Sequence, residues 1–200
     1  MLYYERKFKK KGFDYIIGVD EVGRGPLAGP VVAAAAALKD FSFGCRIDDS
    51  KKLSSLQRQE AFSVLVSKVI FGIGVVNEKL IDRINILEAT RLAMQEAVSS
   101  VMQKLESKEK KSCFCLVDGQ MKLDLALPFL SITKGDSRSL AIASASIIAK
   151  VVRDRIMGIY DRIVPDYGFI ENKGYPTARH RQAIEKHGRC FLHRESFSCV

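Results

Sequence analysis

The sequence predicts an α/β domain, and three observations carry the prediction. Short apolar runs of β-type composition, residues 16–19 and 113–117, each stop at an acid with glycine close behind. Separate stretches repeat apolar residues at helical spacing: Phe62, Leu65, Val66 and Val69, then Met94, Ala97, Val98, Val101 and Leu105. Finally, 200 residues with 47% hydrophobic content can bury one good core, so a single domain is the default.

Taken in order, the chain starts with a basic leader, MLYYERKFKKKGF. It has no apolar stretch behind it and so does not read as a secretory signal. A solvated leader is the expectation, with a polybasic arm as the alternative. Residues 15–20 read as a strand that stops at Asp20 and Glu21, before the loop Gly23-Arg24-Gly25-Pro26. Successive strand side chains point to opposite faces, so the two acids can share a site only if the strand ends or bends there. Residues 31–38 read as a second strand: the alanines alone permit a helix, but Pro30 and two valines favour a buried strand. A polar loop, 48–54, precedes a helix whose start carries a capping box, Ser54 with Gln57. Residues 70–76 form a short strand in which glycines mark close backbone contact. From Asn77 a helical stretch runs toward Leu105, and a basic loop, 108–111, closes it.

Residues 113–117 then repeat the opening arrangement, a buried strand delivering Asp118 before Gly119. Residues 127–132 are a last short strand. Asp136 follows, placed as the N-cap of an Ala/Ser-rich helix over 139–157. Its small residues would let it pack close and bring Asp136 toward the sheet. After a polar and aromatic loop, 165–176, a short helix is capped by Thr177 and stopped by Gly188.

Composition excludes several classes. The longest apolar run, 31–38, falls well short of the roughly 18 residues a membrane span needs. No repeat or low-complexity linker is evident. Five cysteines without CxxC spacing argue against a disulfide framework or a zinc site and fit a reducing cytoplasm. Cys113 and Cys115 read as buried thiols on one strand face. His180, His187 and His193 are not at zinc spacing and read as structural or phosphate-facing. A net charge of +9 favours a polyanionic partner.

On such a chain the acids are informative, because carboxylates near phosphate call for a cation between them. Asp20, Glu21, Asp118 and Asp136 stand at three strand-end positions and one helix start, able to converge at one sheet edge, where ligands of open α/β sheets bind. Each alone is equally a turn or a cap. Together, unpaired, they would repel. An oxygen-only set selects Mg²⁺ or Mn²⁺. Two such ions roughly 3.5–4 Å apart can run an in-line phosphodiester hydrolysis giving 5′-phosphate and 3′-hydroxyl ends.

The run GVDEVGRGPLAGPVVAAA resembles the signature of the type 2 ribonucleases H (RNase HII). DSKKLS (49–54), Asp118-Gly119, KGDSRSLAIASASIIAKVVRD (134–154) and NKGYPTARHRQAIEKHG (172–188) are similar to that family's segments in the family's order. The resemblance implies an RNase H-like fold, a mixed five-stranded sheet flanked by helices with a C-terminal helical segment. It places a core at about 14–158 and the helical segment at about 159–200. It makes Asp20, Glu21, Asp118 and Asp136 the metal-binding catalytic acids. Gly23, Arg24 and Gly25 would surround a 2′-hydroxyl with backbone groups, and Tyr175 would pack on the sugar. Position in the chain, rather than the resemblance, makes Lys51 a candidate for the phosphate backbone, with Arg138, Ser139 and the histidines as further candidates there. The implied substrates are RNA/DNA hybrids and duplex DNA carrying single ribonucleotides; a cytoplasmic monomer is expected. The resemblance favours type 2 over type 3 because the type 3 enzymes usually carry a sizeable N-terminal domain and lack Gly-Arg-Gly. Val22 stands where many members have alanine, Asp48 is an extra acid, and the tail HRESFSCV shows no clear sliding-clamp peptide.

Two rivals are weaker. Gly23-x-Gly25-x-x-Ala28 formally fits a dinucleotide fingerprint, but Pro26 and Pro30 interrupt the required helix and Asp20-Glu21 would repel a pyrophosphate. A basic nucleic-acid-binding module without catalysis leaves the acids without a role.

Overall fold

The computed structural model of the chain describes residues 1–198. Five strands form one mixed sheet in the order β3-β2-β1-β4-β5. β1 (Tyr15–Val22), β2 (Val31–Leu38) and β3 (Ile70–Val76) make an antiparallel meander, while β4 (Cys113–Asp118) and β5 (Phe129–Ile132) add on in parallel beside β1. Helices cover both faces, which explains why all eight residues of β2 are buried. Alanine's helical preference loses there to a slot between two helix layers that admits only small side chains.

The period-two alternation sorts β1 into two cores. Ile16 joins Ala34, Ala36 and Leu116 beneath α2 (Ser55–Lys68) and α5 (Leu140–Ile163). Ile17 and Val19 join Ala33, Ala35 and Val117 beneath α3 (Glu78–Lys104). The expected close contacts are present. A Cβ on Gly18 would stand 1.9 Å from the Ala141 carbonyl carbon of α5, and one on Gly74 would stand 1.9 Å from the Ala93 oxygen of α3. The capping box at Ser54 and Gln57 forms as read.

Several expectations are corrected. The leader is not solvated throughout: Tyr3–Lys9 forms a helix, α1, whose Phe8 ring stacks on Phe114 at 3.7 Å. Its Glu5 is buried, and one carboxylate oxygen accepts from the Ser139 hydroxyl at 2.6 Å and the Ala141 N–H at 3.0 Å. The density of basic residues hid this docking face. Asp136 is not the N-cap of α5. It sits in a 3₁₀ turn, Gly135–Ser137, and Ser139 caps the helix by accepting from the Ile142 N–H. α5 extends to Ile163, crossing residue 158 without a break. The stretch after Asn77 is interrupted at Asn85, where φ is 65° and the side chain caps the following turn through the Leu87 and Glu88 N–H groups. The basic loop closes in one helical turn, α4 (Ser107–Lys110).

Beyond α5 come a 3₁₀ turn (Pro165–Tyr167), α6 (Phe169–Asn172) and α7 (Ala178–His187), the last capped by Thr177 and ended at Gly188 as read. They share a small core of Met157, Tyr167, Phe169 and Leu192. No helix among the described residues is long and apolar enough to cross a membrane. Cys45, Cys113, Cys115 and Cys190 are free thiols; Cys199 and Val200 of the tail lie outside the described residues.

Candidate active site

Parallel pairing of β1 and β4 sets the site. Their last paired residues are Val19 and Val117, so Asp20 and Asp118 occupy the next position on neighbouring strands and the same face. β1 does not end at its acids, contrary to expectation. It continues to Val22 along β2, and it is β4 that stops. Glu21, on the other face, is paired with Ala33 of β2 on one side and has no strand on the β4 side to block its approach. Carboxylate oxygens of Asp20, Glu21 and Asp118 lie within 4.8 Å of one another.

This proximity is costly for three anions. Burial, then the charges of Glu21 and Asp118, push the Asp20 carboxyl well above the usual range, against opposing bonds from the Ser146 hydroxyl and the Glu21 N–H. Burial likewise raises Glu21, although Arg24, 3.4 Å away, pulls it back. Burial raises Asp118, partly countered by the Gly135 N–H donating to it at 2.6 Å. A divalent cation resolves the conflict, and the donor set fits one: three carboxylates and no histidine or thiol, the oxygen ligation of Mg²⁺ or Mn²⁺.

Asp136 is adjacent but outside that trio. It is buried, and its carboxylate meets the ammonium of Lys51 at 3.6 Å. Ser50, before Lys51, shares a 2.9 Å hydrogen bond with Ser146, the same serine that reaches Asp20, so the 49–54 loop is tied to the acids through α5.

Asp20, Glu21, Asp118, Lys51, Lys150 and Tyr175 line one cavity of about 270 Å³. Asp136, Gly23, Arg24 and Gly25 are not among its lining residues, but a Cβ on Gly25 would sit 3.9 Å from the Tyr175 ring. Tyr175, 39% exposed, thus stands between the acids and the glycine loop. The further phosphate candidates fare differently. Ser139 is buried and committed to Glu5 and the cap, and Arg138 bonds the Tyr4 hydroxyl at 2.7 Å.

His180 and His193 are buried and structural. The Cys190 N–H donates to His193 Nδ1 at 3.0 Å, which leaves the proton on Nε2. His193 Nε2–H then donates to His180 Nε2 at 3.1 Å, and His180 Nδ1–H donates to the Tyr175 carbonyl at 2.9 Å. Burial holds both rings below the usual histidine range, His193 at about 4. This relay of neutral imidazoles ends on the backbone of Tyr175.

Sequence reasoning missed two arginines, Arg153 and Arg194, both fully buried with every bond to a backbone carbonyl. Arg153 had a signal, a charge on the buried stripe of α5 four residues from both Ala149 and Met157. Arg194, in a polar tail, had none.

Comparison with known proteins identifies the family. The sequence profile described as Ribonuclease HII matches residues 17–200. The chain is 48% identical over 199 residues to a ribonuclease HII of Ruminiclostridium cellulolyticum, covering 98% of this chain and 75% of that protein. It is 46% identical over 198 residues to that of Caldanaerobacter subterraneus subsp. tengcongensis, covering 98% and 79%. Among solved structures it is similar to the ribonuclease H2 of Pyrococcus horikoshii OT3 (TM-score 0.69, 23% identity, 92% and 94% covered). It is also similar to Bst-RNase HIII in complex with Mn²⁺ (TM-score 0.79, 19% identity, 96% and 70% covered). Those two likenesses carry the fold, an RNase H-like mixed five-stranded sheet flanked by helices. With a profile match over nearly the whole chain and relatives near half identity, the chain belongs to the ribonuclease HII family.

Proposed function

We propose that this ribonuclease H hydrolyses the RNA strand of RNA/DNA hybrids and incises duplex DNA on the 5′ side of a single embedded ribonucleotide, leaving 5′-phosphate and 3′-hydroxyl ends. The observation that carries the reading is the trio Asp20, Glu21 and Asp118 in one cavity with Tyr175. Asp20, Glu21 and Asp118, with Asp136 beside them, are the catalytic acids and would hold Mg²⁺ or Mn²⁺. Two such ions supply the Lewis acidity that activates water and stabilises the leaving oxygen of an in-line displacement.

The chain's own groups do the rest. The Gly135 N–H and the Ser146 hydroxyl hold Asp118 and Asp20 in place, so the carboxylates need not reorganise. Lys51, with its side chain 84% exposed at the mouth of the site, meets the phosphate backbone while its ammonium stays near Asp136. Tyr175 packs on the sugar, and the backbone of Gly23, Arg24 and Gly25 reads the 2′-hydroxyl, the group that separates RNA from DNA. A chain of net charge +9 suits such a polyanion. The reading places the protein in ribonucleotide excision repair, as a cytoplasmic monomer of one catalytic domain.

The test is cleavage of a labelled DNA duplex with one ribonucleotide beside an all-DNA duplex and a long hybrid, in Mg²⁺, in Mn²⁺ and with chelator. Metal-dependent incision 5′ of the ribonucleotide, with the DNA intact, is expected. Cleavage of long hybrids alone would remove the single-ribonucleotide assignment, and cleavage of none would remove the activity.

A further inference from the structure

The loop from Gly23 to Pro30 is gripped from inside by two guanidinium groups. Arg194 is 0% exposed. Its Nη2 donates to the Gly23 carbonyl at 2.6 Å and to the Gly29 carbonyl at 2.7 Å, its Nη1 to the Arg24 carbonyl at 3.0 Å, and its Nε to Gly29 again at 2.9 Å. Arg153 grips the far end, with Nε to Pro30 at 3.0 Å and Nη2 to Ala28 at 3.2 Å, while its Nη1 reaches the Lys173 carbonyl at 2.9 Å, two residues before Tyr175. The Arg153 guanidinium also lies 5.9 Å from the Tyr175 ring centroid. The Leu27 N–H donates to the Gly174 carbonyl at 2.8 Å, closing the two segments on each other.

Peptide geometry turns this into a statement about the outer side of the loop. A trans peptide unit is planar, with its C=O and the next residue's N–H pointing in opposite directions. With the Gly23 carbonyl turned inward to Arg194, the Arg24 N–H faces away from it. With the Arg24 carbonyl turned inward, the Gly25 N–H does the same. Neither N–H has an acceptor among the described residues. Gly23 holds φ at +97°, in the region open to glycine, and a Cβ there would strike the Arg153 side chain at 2.3 Å.

We propose that Arg194, seconded by Arg153, is a positioning residue for ribose recognition. By taking the inner carbonyls, the two arginines aim the Arg24 and Gly25 N–H groups at the sugar and set the gap to Tyr175. The inference rests on the functional reading above, which assigns this loop to the 2′-hydroxyl. Neither arginine touches substrate or metal. Their removal is therefore expected to change which duplex binds and to leave the chemical step alone.

The test uses the full-length protein and its Arg194→Lys variant, which keeps the charge but loses the fork that reaches three carbonyls at once. Binding of a duplex with one ribonucleotide and of the all-DNA duplex is measured by fluorescence anisotropy with Ca²⁺ in place of Mg²⁺. KM and kcat follow in Mg²⁺. The preference for the ribonucleotide duplex should fall by about tenfold, the worth of one neutral hydrogen bond, with KM rising to match. Turnover at saturation should stay within about threefold. Asp82→Asn is the control. Asp82 holds the same tail through the Glu195 and Ser196 N–H groups without touching the loop, so its variant should keep the wild-type preference.

An unchanged preference in folded Arg194→Lys overturns the inference, as does an equal loss in Asp82→Asn, which would assign the effect to the tail as a whole. If Arg194→Lys does not fold, Arg153→Lys is held to the same expectation, and an unchanged preference there overturns it too. A wild type that cuts no ribonucleotide substrate removes the functional reading, and the inference with it.

Discussion

Replacing Asp20 by Asn should stabilise the metal-free protein while abolishing its activity. The substitution keeps the side chain's shape and its acceptor for the Glu21 N–H, and removes one of three converging charges. With every pair within 4.8 Å and an effective dielectric constant near 20, each ionised pair repels by at least about 332/(20 × 4.8), or about 3.5 kcal/mol. Proton uptake caps that cost, since a displacement of one pKa unit corresponds to about 1.4 kcal/mol. We expect a net gain of about 2 kcal/mol at pH 8, or roughly 4–8 °C in melting temperature for a chain of this size.

The sign follows from the raised carboxyls. Where the pH lies between the ordinary carboxylate value and the raised one, the native state binds more protons than the unfolded state, so metal-free stability falls as pH rises through that window. The advantage of the Asn variant should therefore be largest at pH 8 and shrink toward pH 5. Mg²⁺ should reverse the order, because a ligand at 100 times its Kd adds about 2.7 kcal/mol to a protein that binds it. The assay is thermal denaturation followed by circular dichroism at both pH values, with chelator and with Mg²⁺, beside cleavage of the ribonucleotide duplex. If the metal-free variant melts at or below the wild type at pH 8, the carboxylates are not in conflict and the argument for a cation there collapses.

Two further outcomes are expected. His193, held at about 4 by burial and by His180 beside it, stays neutral in the fold while the unfolded chain takes up its proton near 6.5; stability should drop by at most about 3 kcal/mol as pH falls through that interval. Urea denaturation of His193→Gln should show a flatter profile between pH 6.5 and 4, and a profile parallel to the wild type's would refute the neutral relay. Gly18→Ala places a methyl 1.9 Å from the Ala141 carbonyl carbon, so α5 must shift; a loss of about 3 kcal/mol or more in urea stability is expected, and a wild-type midpoint would show that the contact is not tight.

Much of the scaffold was legible because its signals are local. An apolar run that stops at an acid marks a strand end, and an i, i+3, i+4 stripe marks a helix face, whatever the partner. Ser54 with Gln57 and Thr177 with Gly188 bracket their helices through chemistry confined to a few residues. Asp20, Glu21 and Asp118 were visible as candidates for the same reason. The errors lay where two local signals competed. Asp136 and Ser139 are both capping residues, and only the docking of α1, which brings Glu5 to the start of α5, shows the serine hydroxyl committed there.

What the sequence determined by itself, then, was the run of strands and helices and the acids at their ends. Tertiary structure decided which acids meet: the parallel register of β1 and β4 puts Asp20 beside Asp118, and the early stop of β4 admits Glu21. It also decided how the glycine loop is held. Arg194 bonds carbonyls 165 to 171 residues away, and Arg153 bonds carbonyls 123 and 125 residues back and one 20 residues ahead. The carbonyls that a buried arginine meets carry no mark in the sequence, because every residue offers the same carbonyl. Only the folded path of the chain selects which ones it meets.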